Sequence, residues 1–179
     1  MALPALAQQS DEDDQGEGLV PALPRRVVEE NRIKVPEYRD HENSCRRAEA
    51  AAAAGEWTTA VRTYLDVLRQ ERDPDGGIQH VVKVGDKRWL SYARFVRERL
   101  LRMPAEGRKA FREQADAEAR ALFDDAVARR DARGLDAVWR TFPLATCAAE
   151  ALERLGDMAF EAGDFGLAAI RYERAGALP

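Results

Sequence analysis

The sequence predicts an all-α fold of stacked antiparallel helical hairpins, and three observations carry that expectation. Two distant segments, Gly55-Glu56-Trp57-Thr58-Thr59-Ala60-Val61-Arg62-Thr63-Tyr64 and Gly163-Asp164-Phe165-Gly166-Leu167-Ala168-Ala169-Ile170-Arg171-Tyr172, share one pattern. In each, an acid follows the glycine, an aromatic stands two places after it, an alanine five and a tyrosine nine. Such self-similarity marks a helical repeat. Apolar residues recur elsewhere at three- and four-residue spacing, and only one short run has the composition of strands.

Residues 1 to 36 hold seven acids and four bases, with Asp11-Glu12-Asp13-Asp14, Gly16, Gly18, Pro21, Pro24 and Pro36. Too few apolar groups are present there to offset chain entropy, so this segment is expected to be a disordered acidic linker. Its triplet Ala5-Leu6-Ala7 has the small-x-small pattern of a signal-peptidase site, but the basic and long apolar regions that precede such sites are missing. A signal-peptide remnant and an ordinary alanine-rich start both remain open.

The helical domain is expected over residues 37 to 179. Helices at 41 to 54 and 57 to 70 form the first hairpin: Gly55 stops one helix in the left-handed conformation, and Trp57, Ala60, Val61, Tyr64 and Leu68 stripe the next. Ile78 to Val84, Gly85-Asp86 and Lys87 to Leu90 read as a short β-hairpin or an extended loop near 78 to 90. A helix at 91 to 102 follows, its stripe Trp89, Ala93, Val96, Leu100 and Met103 leaving the arginines to solvent. Helices at 106 to 115, 117 to 130 and 133 to 141 come next. Ala121, Leu122, Ala126 and Val127 face Leu135, Val138, Trp139 and Phe142 across a turn at Asp131 to Gly134. Helices at 146 to 162 and 165 to 175 close the chain, with Phe165, Ala168, Ala169, Tyr172 and Ala175 as the last stripe.

The run Leu152-x-x-Leu155-Gly156-x-x-Ala159-x-x-x-Gly163-Asp164-Phe165-x-x-Ala168-x-x-x-Tyr172-x-x-Ala175, with Pro179, resembles one tetratricopeptide repeat. Ala159 stands where an aromatic is common, and Arg47 stands where the earlier copy would have leucine. A wider resemblance covers residues 88 to 179. Met103-Pro104-Ala105-Glu106-Gly107-Arg108-Lys109-Ala110-Phe111-Arg112, Asp116, Ala119, Leu122-Phe123, Leu135-Asp136-Ala137-Val138 and Phe142-Pro143 look like the helical platform that precedes β-propellers of the pyrroloquinoline-quinone-enzyme type in secreted bacterial proteins. That resemblance implies a tetratricopeptide-like platform of the cell envelope, periplasmic or secreted; apart from it, a cytoplasmic location is the alternative. No propeller blades are legible in these residues.

Charge and motif content narrow the function classes. Residues 37 to 179 hold 25 acids and 24 bases, which implies neither a nucleic-acid footprint nor a membrane-attracting surface. No stretch approaches the roughly 20 apolar residues of a membrane span. Cys45 and Cys147 each sit beside alanines on an expected helix, so buried thiols are favoured over a bridge. Without a CxxC or Cys/His cluster, no metal and no cofactor site is expected. For His41 and His80, spacing places no carboxylate and nucleophile in a recognisable catalytic order.

The reading is therefore a non-enzymatic protein-protein interaction or scaffolding module, a platform for a further domain. Two alternatives stand beside it. One is the helical part of a quinone-type propeller enzyme. The other is a polyanion-binding domain that uses Arg94, Arg97, Arg102, Arg108 and Arg112, in a stretch where Lys87 to Arg112 carries nine bases against two acids. The expected partner surface is Leu167, Ile170, Arg171, Arg174 and Leu178 on the last hairpin, contacting an adjacent domain, another protein or a second copy of the chain.

Overall fold

The computed structural model describes residues 39–71, 80–84 and 88–179. The expected linker at 1 to 36, its Ala5-Leu6-Ala7 triplet and the turn at Gly85-Asp86 lie outside them. Among the described residues the chain is helical apart from one two-stranded antiparallel sheet. The helices are α1 (Arg39–Ala53), α2 (Trp57–Gln70), α3 (Tyr92–Leu101), α4 (Ala105–Ala128), α5 (Ala132–Thr141), α6 (Ala148–Glu161) and α7 (Phe165–Gly176). The strands β1 (Val81–Val84) and β2 (Arg88–Ser91) pair in the register Val82↔Leu90 and Lys83↔Trp89.

Three antiparallel hairpins, α1/α2, α4/α5 and α6/α7, turn on one corner geometry. At the first, Glu56 N–H donates to Ala51 O at 2.9 Å and Gly55 N–H to Ala52 O at 3.1 Å, with Gly55 at φ +77°. At the third, Asp164 and Gly163 donate to Ala159 and Phe160, with Gly163 at φ +78°. These paired bonds satisfy carbonyls that a helix end leaves orphaned. The middle corner repeats the pattern with a residue that sequence reasoning did not single out: Asp131 and Arg130 donate to Ala126 and Val127, and Arg130 carries φ +51°. Asp131 then caps α5, its carboxylate accepting from Arg133 N–H at 2.9 Å. Gly134, expected in the turn, lies inside α5, where a β-carbon would approach that of Ala126 to 2.8 Å.

Packing runs in chain order, α1 on α2, α2 on α4, α4 on α5, α5 on α6 and α6 on α7, with α3 and the β-hairpin inserted between α2 and α4. The expected break near residue 116 does not occur. Phe111, Ala115, Ala119, Phe123 and Ala126 form one buried stripe along α4, so nothing in the packing stops the helix there. Asp116 instead accepts from Thr146 N–H at 3.0 Å, and Arg112 donates to Leu144 O at 3.3 Å. These bonds tie α4 to the connector between α5 and α6, where Phe142, Leu144 and Cys147 are buried.

The core contains the fully enclosed side chains of Tyr64, Leu65, Leu100, Phe111, Phe142 and Leu152. Cys45 and Cys147 are buried free thiols. Three expected stripes differ from the observed packing. On α4, Ala121 and Val127 are exposed and Leu122 is half-buried, because the inward face follows Ala115, Ala119, Phe123 and Ala126 instead. Trp89 belongs to β2 and is exposed, while Tyr92 is the buried aromatic of α3. On α7 only Ala168 and Ala175 are buried, and Phe165, Ala169 and Tyr172 are exposed. No helix among the described residues is long and apolar enough to cross a membrane.

Candidate functional site

A cleft of about 1130 Å³ opens between α3, α5, α6 and α7, with Arg97, Asp136, Arg140, Leu155, Met158 and Leu167 among its walls. At its side stands Trp139, 8% exposed. Its indole N–H donates to Asp136 Oδ1 at 3.0 Å. The guanidinium of Arg174 lies 4.9 Å from the indole ring centroid and that of Arg97 5.3 Å, both within cation–π range. Asp136 also receives Arg171 at 3.0 Å and pairs with Arg140 one helical turn on. One carboxylate thus serves an indole and two guanidinium groups.

Arg97 is partly buried rather than on the solvent face expected for it, and it donates to Arg140 O at 3.4 Å. Burial, followed by the neighbouring Arg140 charge, pushes its guanidinium down to about 10, which leaves it cationic at neutral pH. The other expected basic-patch residues are scattered. Arg94 pairs with Glu98 at 3.1 Å, Arg112 holds the connector carbonyl, and Arg102 and Arg108 stand near the start of α4.

The expected partner surface divides between two environments. Ile170 is 50% exposed and Leu167 40% exposed, and they share α7 with Phe165 at 62%. Phe160 on α6 meets Phe165, its ring edge-on at 5.2 Å between centroids. Arg171 and Arg174 turn instead toward Asp136 and Trp139. Leu178 is half-buried against the core.

A third group gathers where α1 begins and α2 ends. Because the hairpin folds about Gly55 and Glu56, position 41 returns beside position 71. There His41 Nε2 lies 2.8 Å from Glu71 Oε1. His80, just before β1, places Nδ1 2.8 Å from the same oxygen, and its carbonyl accepts from Tyr92 N–H at 3.0 Å. The side chains of His41 and Glu71 are 3% exposed and that of His80 33%. Burial holds the His41 imidazole below its ordinary value, against the opposing pull of Glu71. Sequence reasoning found no partner for either histidine, since these three positions meet only through the hairpin and the strand that follows it.

No protein family, curated protein or solved structure matches this chain. Its architecture is helical-repeat-like and all-α with one short β-hairpin.

Proposed function

We propose that this chain is a non-catalytic scaffold whose α6/α7 hairpin holds another protein. The observation that carries the reading is four large apolar side chains, Phe160, Phe165, Leu167 and Ile170, each at least 40% exposed on one hairpin. Large apolar side chains exposed at this density are costly to leave in water, and they suit a protein surface better than a small ligand. Leu167 also lines the Trp139 cleft, so an extended partner reaches both from one side. Arg171 and Arg174 border that path, with Asp136 and Trp139 holding their guanidinium groups in place.

The resemblance to tetratricopeptide repeats and to the platforms of secreted propeller proteins supports the same role, and with it an envelope location. The polyanion alternative gains less, because Arg94, Arg97 and Arg112 are already engaged within the fold.

Site-specific photo-cross-linking in the producing cells tests the reading. A cross-linker at position 170 is expected to give discrete adducts with one protein species, lost when Phe165 is replaced by aspartate. A cross-linker at exposed Arg62 serves as the control. Equal adduct patterns from 62 and 170, or adducts indifferent to Phe165→Asp, would sink the proposal.

A further inference from the structure

Glu71 occupies an unfavourable place for a carboxylate. It caps the C-terminus of α2, where backbone carbonyls concentrate negative potential, and its side chain is almost wholly removed from water. Among the described residues its ion-pair partners are the imidazoles of His41 and His80. His41 lies in the first turn of α1, the positive end of that helix, and is buried.

We infer that His41 Nε2, Glu71 Oε1 and His80 Nδ1 form a binding site for a divalent transition-metal ion of the zinc class. The three ligand atoms lie within 4.8 Å of one another. Zinc holds nitrogen and carboxylate oxygen at about 2.0 to 2.2 Å, which places tetrahedral ligands roughly 3.3 Å apart. The two 2.8 Å contacts to Oε1 therefore open by about half an ångström while the two imidazole nitrogens, within 4.8 Å of each other, draw together, which rotation of the partly exposed His80 side chain allows. A donor set of two imidazoles and one carboxylate suits zinc, cobalt or nickel better than magnesium or calcium, which prefer all-oxygen shells. The ion replaces the hydrogen bonds that the imidazoles now make to Glu71, and its charge answers the buried carboxylate. His80 is the partly exposed member and gives the ion a way in.

Its role is structural: it pins the α1/α2 hairpin to the segment entering β1, since His41 and Glu71 belong to the first and His80 to the second.

Cobalt titration of the full chain, purified without a histidine tag and stripped with chelator, tests the site. Cobalt is expected to give visible d–d absorption that saturates near one ion per chain, and zinc is expected to displace it. His80→Ala and Glu71→Gln should each weaken zinc binding by at least about tenfold in competition with a chromogenic chelator. His80→Ala is the decisive variant, because that side chain is partly exposed and its loss leaves the hairpin core intact. Absence of the cobalt spectrum, or zinc affinity in His80→Ala within about tenfold of the parent, overturns the inference and leaves a hydrogen-bonded triad only.

Discussion

The Tyr172 ring closes over Gly156 so tightly that a β-carbon at position 156 would lie 2.6 Å from its Cε1. The Tyr172 hydroxyl donates to Asp157 Oδ1 at 2.8 Å, which holds the ring there. Close approach of α7 to α6 thus depends on the missing side chain at 156. Glycine to alanine in a helix interior ordinarily stabilises by about 1 kcal/mol. Here the gain is offset, because the added carbon displaces the ring. Gly156→Ala is expected to be neutral or destabilising in the parent, and to recover the gain of about 1 kcal/mol in a Tyr172→Ala background. Urea unfolding of the four proteins of this cycle checks it. Equal stabilisation in both backgrounds would show that the ring does not constrain position 156.

The three corners allow a second test. Left-handed backbone costs about 1 to 2 kcal/mol for a residue with a Cβ. Gly55 avoids that cost and Arg130 bears it. Gly55→Ala should therefore destabilise by about 1 kcal/mol, although nothing lies within 4 Å of the added carbon. Arg130→Gly should stabilise by up to about 1 kcal/mol, the glycine entropy cost being the smaller effect. Thermal melts that move both variants in the same direction would contradict this account of the corners.

How much was legible in the sequence follows from the same corners. Glycine flagged Gly55 and Gly163, whereas Arg130 adopts the conformation without a residue type that announces it. Residue 116 looked like a boundary only because the chain there is polar. Burial every three to four residues through Ala115 and Ala119 keeps α4 continuous. Periodicity found the inward face of α2 well, but on α4 it named Ala121 and Val127, and on α7 Phe165 and Tyr172, all of which the structure leaves exposed. Groupings that join distant elements, such as Arg97 with Trp139 and His41 with Glu71, carry no local signature. They arise from hairpin closure and from the stacking of one hairpin on the next.

The thiols should behave as buried hydrophobic groups. Burial, reinforced by Glu49, pushes Cys45 up to about 12, and burial also raises Cys147. At pH 8 neither carries appreciable thiolate. A thiol-exchange reagent should leave both untouched in the native protein and titrate both in guanidinium chloride. Rapid native labelling of Cys45 would mean that α1 opens readily from α2.

Asp136 is the carboxylate that joins Trp139, Arg140 and Arg171. Without its charge, the guanidinium groups of Arg97, Arg140 and Arg174 would crowd the indole unneutralised by it, and Arg171 would lose its ion pair. The Asp136 side chain is 24% exposed, so water screens part of that repulsion and the penalty falls below that of a fully buried pair. Asp136→Asn is expected to destabilise by about 1 to 2 kcal/mol at low ionic strength. The amide keeps an oxygen that accepts from Trp139, so the deficit is electrostatic and salt should shrink it. At about 1 M salt the Debye length drops to about 3 Å, and the difference from the parent should fall by half or more. Urea denaturation of both proteins at low and high salt measures it. A deficit that does not change with salt would assign the loss to packing rather than to charge.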